Sequence, residues 1–206
     1  TRLGREATIF EMSQLSYDNI IKSIRTGNGL KETLEFFPEQ GKYHWDGHRN
    51  CDVSLSPKES QKIGGYCPKC GKPLTIGVEY RIEELAQRDV GEKSPNAKPY
   101  KSLIPLLEIV QMSLGLANPF SKKCWARYYD FTNKFGSELE ILLKTEKQKL
   151  EEIDKKVADM IIKVREGQVR YKPGYDGEYG IPVFDPNEKI EETKIDDKKQ
   201  KNLMDF

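Results

Sequence analysis

Four residues, His48, Cys51, Cys67 and Cys70, spell His-x-x-Cys, fifteen intervening residues, then Cys-x-x-Cys. Two chelating pairs at that separation make a closed tetrahedral zinc site in a short, loop-rich segment. A site with no open coordination position organises a surface rather than performing chemistry. The second pair lies in Cys67-Pro68-Lys69-Cys70-Gly71. There the proline stiffens the turn and the glycine lets backbone amides approach the thiolates. Two readings compete: three reduced core cysteines beside an unrelated histidine, or a disulfide between Cys67 and Cys70. The composition resembles that of an intracellular protein, which argues against the disulfide. His44 is close enough in sequence to replace His48, so the fourth ligand stays open between them.

Charged residues make up 33% of the 206 and hydrophobic ones 36%, so apolar burial is thin. Several small pieces are therefore expected rather than one thick core. The formal net charge of +1 excludes a uniformly basic nucleic-acid coat but permits a local patch. No apolar run reaches membrane-spanning length and no signal peptide is present, so no membrane partner is expected. With three of four cysteines in the zinc pattern, a reducing, cytoplasmic setting follows; Cys124 reads as a buried helix thiol. The sequence opens on Thr1-Arg2-Leu3-Gly4 as if in the middle of a loop, which suggests a fragment of a longer protein.

Local patterns predict an α+β chain. Residues 7–10 read as a strand, Ser16 caps a helix through Thr26 that Gly27 ends, and Thr33 to Phe37 forms a second strand. Strand-helix-strand in about 30 residues is an α/β unit, here the end of a larger domain. A zinc-ribbon module spans 38–80. Within it Ser56-Pro57-Lys58-Glu59 is a capping box that Gly64-Gly65 terminates. Leu74 to Glu79 reads as a ribbon strand, and Arg81 to Arg88 as a short helix. A polar loop over 89–99 leads into a helical region, so that 81–187 is expected to be one domain. Leu103 to Leu114 is apolar on most sides and reads as a central helix, with Pro105 tolerable in its first turn. Ser121 caps a helix through Phe135, and Gly136-Ser137 restarts another. Val157, Met160, Ile161 and Val164 form an amphipathic stripe that Gly167 ends. Val169–Tyr171 and Ile181–Phe184 suggest a small hairpin around Pro173-Gly174-Tyr175-Asp176-Gly177. Residues 188–206 are too polar to bury surface and read as a disordered tether.

No catalytic centre is legible. Two histidines, at least one beside the zinc pattern, leave none for a triad or a multi-metal cluster, and no phosphate-binding Gly-x-x-x-x-Gly-Lys loop exists. Paired carboxylates such as Glu83-Glu84 read as solvated helix faces. Binding chemistry is better represented. Residues 93–127 hold Lys93, Lys98, Lys101, Lys122, Lys123 and Arg127 against one acid, Glu108. Lys98, Lys101, Lys122, Lys123 and Arg127 are the candidate DNA contacts, because lysines at a capped helix start can meet a phosphate backbone. A merely solvated lysine face is the alternative. The last seven residues place Gln200, Leu203 and Phe206 as in the box that docks on the sliding clamp (PCNA), although a second aromatic after Phe206 is missing.

Taken together the chain resembles the C-terminal half of endonuclease Q, a DNA-repair nuclease of archaea and some bacteria. The matching phrases are Leu3-Gly4-Arg5-Glu6-Ala7, Leu34-Glu35-Phe36-Phe37-Pro38-Glu39, Gly41-Lys42-Tyr43-His44 and Asp46-Gly47-His48-Arg49. They continue through the Cys-Pro-x-Cys knuckle and Leu74-Thr75-Ile76-Gly77-Val78, then Ile104-Pro105-Leu106, Phe135-Gly136-Ser137-Glu138 and Pro173-Gly174-Tyr175-Asp176-Gly177. The resemblance implies an N-terminal PHP-type metal-dependent phosphoesterase barrel, a zinc module and a helical C-terminal region. Residues 1–37 would be the last strand-helix-strand of that barrel. It also implies nicking of DNA 5′ of deaminated bases (uracil, hypoxanthine, xanthine) and of abasic sites, using divalent metal ions (Mg, Mn or Zn). The family's metal ligands lie upstream of Leu3-Gly4-Arg5, so the chain by itself is expected to be inactive. The alternatives are a non-enzymatic zinc-ribbon adaptor for nucleic acid or protein, or an accessory region of a helicase-fused protein.

Overall fold

The computed structural model describes residues 5–190. In chain order it contains β1 (Ala7–Phe10), α1 (Tyr17–Thr26), β2 (Leu30–Glu35), β3 (Asp46–His48), β4 (Val53–Leu55), α2 (Pro57–Lys62) and α3 (Val78–Leu85). There follow β5 (Tyr100–Ser102), α4 (Leu106–Ser113), α5 (Lys122–Phe135), α6 (Glu138–Leu143), α7 (Lys147–Glu151), α8 (Lys155–Arg165), β6 (Arg170–Lys172) and β7 (Ile181–Val183). The α+β class is as expected. The chain packs as two units, one of residues up to Phe37 with Gly91–Val169, the other of Pro38–Val90 with the residues from Arg170 on. This differs from the expected boundaries. The helices join the N-terminal strands, and the hairpin assigned to the helical region packs with the metal-binding segment.

In the first unit Ser16 and Gly27 bound α1 as expected. The Ser16 hydroxyl accepts the Asn19 amide at 3.2 Å, and Gly27 takes a left-handed φ of 73°. The β1–α1–β2 segment departs from the expected barrel remnant. β1 and β2 pair antiparallel, Ala7 opposite Leu34, whereas a barrel crossover needs parallel neighbours. The parallel partner of β2 is β5, with Thr33 opposite Tyr100. That strand lies between the expected loop over 89–99 and the expected helix from Leu103, unassigned from sequence because three residues show no periodicity. The apolar stripe of α4 is the core, with Leu106, Leu107, Ile109 and Val110 all buried. Val157, Met160, Ile161 and Val164 of α8, together with Phe131, Ile141, Leu142 and Leu150, complete it. Glu138 joins the helices at their ends. One carboxylate oxygen accepts the Leu106 amide that opens α4 (2.7 Å), and the other the Tyr128 hydroxyl (3.0 Å).

In the second unit β3 and β4 form a two-stranded ribbon over Val53, Leu55, Cys67 and Leu74. The capping box is present, with Glu59 accepting the Ser56 amide at 2.8 Å and Pro57 opening α2. The expected strand over Leu74–Glu79 is reduced to one isolated bridge, Gly47 with Thr75, and α3 begins at Val78 instead of Arg81. The buried Asp46 takes the chain's amide there: its Oδ1 accepts the Gly77 N–H at 2.7 Å and its Oδ2 the Ser60 hydroxyl. Gly77 lies so close to the backbone of His44 and Trp45 that a Cβ would meet the His44 carbonyl at 2.4 Å. The β6–β7 hairpin forms as expected, Arg170 opposite Val183. Of the expected tether, residues 191–206 lie outside the described residues, and with them Gln200, Leu203 and Phe206.

Candidate metal centre and basic helix face

The first chelating pair sits in the turn of the β3–β4 ribbon. His48 ends β3, a single 3-10 turn carries Arg49–Cys51, and Asp52 closes it in the left-handed region (φ 49°) with its amide on the Arg49 carbonyl at 2.9 Å. The second pair is a tight knuckle. Gly71 (φ 72°) returns its amide to the Cys67 carbonyl at 2.8 Å, and the Cys67 amide reaches the Lys72 carbonyl at 2.7 Å. These two turns face each other, so one donor atom from each of His48, Cys51, Cys67 and Cys70 lies within 4.8 Å of every other. The Cys70 sulfur and His48 Nδ1 are 3.4 Å apart. All four cysteines of the chain are free thiols. His44 is buried nearby but is not in the cluster, its amide taken by Gly41 and its carbonyl by Glu79. The open choice of fourth donor therefore resolves to His48.

The sulfurs lie within hydrogen-bonding reach of one another. Hydrogen bonding to Cys70, with burial, pushes the Cys51 thiol up to about 11, while the Lys72 amide aimed at Cys70 pulls that thiol down. Crowded thiols competing for protons are what a metal ion relieves, because a bound ion replaces them. Three sulfurs and one imidazole nitrogen can hold a metal ion and leave no position for a substrate.

Sequence reasoning missed the residues that buttress this centre. The loop Pro173–Gly177 folds back across the ribbon. The Trp45 amide donates to the Gly174 carbonyl (2.9 Å), and the Gly177 amide to Lys42 (2.8 Å). Tyr175 donates its hydroxyl to Asp52 at 2.8 Å, and burial beside that carboxylate pushes its pKa up to about 12. Its ring lies against Gly47, where a Cβ would fall 2.3 Å from it. Asp176 accepts the Arg49 amide at 2.6 Å and the Thr75 hydroxyl at 2.6 Å. The motif was visible in the sequence, but nothing local connects it to residues more than a hundred positions earlier.

The five candidate DNA contacts all belong to the first unit and fall in two places. Lys98 and Lys101 line a cleft of about 730 Å³ with Phe37, Tyr100, Leu103 and Arg165. Both have partners: Lys98 Nζ donates to the Gly27 carbonyl at 2.7 Å, and Lys101 pairs with Glu32 at 2.9 Å. Lys122, Lys123 and Arg127 lie on α5, whose start Ser121 caps by accepting the Cys124 amide. Arg127 donates to the Ile153 carbonyl at 3.0 Å and faces Asp154 at 3.6 Å. The two lysines are exposed. Other bases are engaged within the fold: Arg165 caps α6 through the carbonyls of Ile141, Leu142 and Thr145, and Arg170 donates to the carbonyls of Asp185, Pro186 and Glu188. Arg81 pairs with Glu84. Among the described residues no helix is long and apolar enough to cross a membrane.

The chain is similar to endonuclease Q. The crystal structure of the lesion-specific endonuclease PfuEndoQ from Pyrococcus furiosus matches with a TM-score of 0.77 and 32% identity, over 88% of this chain and 45% of that one. Endonuclease Q bound to a 27-mer duplex with an abasic lesion at the active site matches with a TM-score of 0.75 and 31% identity, over 89% and 46%. The relationship expected from the sequence therefore holds over most of the chain. Residues 105–168 match the model of the MJ0043 C-terminal domain family. The uncharacterized protein MJ0043 of Methanocaldococcus jannaschii is 32% identical over 195 residues, 92% of this chain. The chain spans under half the length of the matched structures and 24% of that relative.

Proposed function

We propose that this chain is the zinc-organised DNA-binding portion of an endonuclease Q-like repair enzyme that nicks DNA 5′ of deaminated bases and abasic sites. The observation that carries this reading is the match at 31% identity, over 89% of the chain, to endonuclease Q held on an abasic duplex. The ion in the Cys/His centre is zinc. Bonds of about 2.3 Å to sulfur and 2.0 Å to nitrogen in a tetrahedron put those atoms roughly 3.5 Å apart, close to the 3.4 Å between Cys70 and His48. Zinc here is structural, since its four donors come from the chain.

Lys98, Lys101, Lys122, Lys123 and Arg127 contribute to the phosphate contacts. Gln200, Leu203 and Phe206 dock the sliding clamp, Leu203 and Phe206 as one apolar plug and Gln200 at its rim. The chemistry is supplied by divalent metal ions in the PHP-type domain, whose ligands lie outside this sequence. The purified 206-residue chain should retard a duplex carrying uracil or an abasic site and leave it intact with magnesium or manganese. Incision would overturn the division of labour, and failure to bind any DNA would overturn the DNA-binding reading itself.

A further inference from the structure

The outer face of α5 presents two rings and two ammonium groups that the metal centre does not use. Lys122, Ala126, Tyr129 and Asn133 recur on one side of this helix and all four are exposed, Tyr129 by 52%. The half-buried Trp125 flanks them, its ring stacked on that of Tyr129 with centroids 5.6 Å apart and planes 26° from parallel. Tyr128 meets both rings edge-on and braces the stack from beneath, its hydroxyl held by Glu138. Phe120, 57% exposed, stands just before the helix. Lys122 and Lys123 form no ion pair among the described residues, unlike Lys101 and Arg127 in the same unit, while Lys98 donates to the Gly27 carbonyl. The acid flanking this face, Asp130, already faces Arg127 at 3.7 Å.

Charge complementarity selects the occupant. A partner helix would need a continuous aliphatic stripe, and this face has rings, ammonium groups, one small alanine and an amide. Free ammonium groups call for anions, and a braced, exposed ring calls for a flat π surface. Unpaired nucleotides supply both. A base inside an intact duplex has its faces covered by its neighbours and can use only the lysines. From Lys122 to Tyr129 the helix rises about 10 Å, room for an unstacked nucleotide between ammonium and ring.

We propose that the outer face of α5 is a stacking platform for a single-stranded segment of nucleic acid, with a base on the Tyr129–Trp125 stack and phosphates on Lys122 and Lys123. The proposal rests on the DNA-binding reading above and narrows it to unpaired strand at this face.

Intrinsic fluorescence tests it, because the chain holds two tryptophans, Trp45 in the second unit and Trp125 here. An oligothymidylate of about 12 nucleotides should quench the 206-residue chain. Quenching should survive in Trp45→Phe and vanish in Trp125→Phe. Tyr129→Ala should weaken binding of the oligonucleotide about tenfold, whereas Tyr129→Phe, which keeps the ring, should bind like the parent. Replacing Lys122 and Lys123 together by Gln should flatten the salt dependence by about 1.4 in the log-log slope. No quenching with unchanged affinity in Tyr129→Ala, while duplex is still bound, would overturn the platform and leave the DNA reading standing. Equal quenching by heparin would also overturn it, by exposing a bare polyanion surface. Absence of binding to either form of DNA would remove both.

Discussion

The carboxylate of Asp176 accepts the backbone amide of Arg49 at 2.6 Å, from 127 positions further along the sequence. Arg49 follows the metal donor His48 directly, so the late loop fixes the conformation of the first chelating turn. The other oxygen of Asp176 holds Thr75, which pairs with Gly47 of the same ribbon. One side chain thus ties the first chelating turn to the segment that follows the second, orienting the donors as hydrogen-bonded partners do elsewhere.

Replacing Asp176 with alanine should therefore loosen the ribbon. Two hydrogen bonds to an ionised group are lost, each worth about 1.5–3 kcal/mol and less where solvent reaches them. Chemical denaturation should show the second unit destabilised by about 2–4 kcal/mol, with slower metal uptake. An unchanged denaturation midpoint would mean that the loop does not support the centre.

Cys67→Ser should release about one zinc per chain and unfold residues 38–80. Metal binding supplies about 10–16 kcal/mol in small zinc modules, more than the ribbon's modest apolar cluster can replace. Elemental analysis and circular dichroism read the two effects. Full metal content in the variant, or a folded metal-free chain, would count against the site.

The two braced tyrosines predict an alkaline limit to stability. Burial comes first among the causes for each, followed at Tyr128 by the charge of Glu138 and at Tyr175 by the hydrogen bond to Asp52. Both are pushed up to about 12. Raised values mean that the folded state favours the neutral phenol. Their contribution is complete below the ordinary tyrosine value of about 10 and is lost as pH climbs through about 12. Stability against pH should fall in that window, and Tyr128→Phe should remove part of the slope at a cost of about 1 kcal/mol. Tyrosinate absorbance should rise late for two of the ten tyrosines.

Leu203→Ala with Phe206→Ala should abolish retention on immobilised sliding clamp while leaving affinity for DNA unchanged. Equal retention of the parent and variant chains would discard the tail box.

Much of the local structure was legible because it is written in short-range chemistry. Ser16, Ser121 and Ser137 each accept an amide three residues on, as their positions before apolar runs implied. The i, i+3, i+4, i+7 stripe of Val157, Met160, Ile161 and Val164 could face only inward once helical. β5 was not legible, since three residues have no period and owe their extended form to the ladder that β2 offers. The same holds for the basic residues: charge and spacing marked all five, but only packing gave Lys98, Lys101 and Arg127 partners and left Lys122 and Lys123 exposed without ion partners.

The amino-acid order alone determined the three sulfur donors, since Cys-x-x-Cys and a third cysteine beside a histidine are chelating patterns within single turns of backbone. It also determined the bounds of the serine-capped helices α1 and α5, because caps and glycine stops act over four residues. Tertiary structure decided which histidine joins the sulfurs and that the Pro173–Gly177 loop closes over them. It also decided that the N-terminal strands pack with the distant helices. These depend on contacts between residues far apart in the chain, whose energies exist only after the backbone has returned on itself.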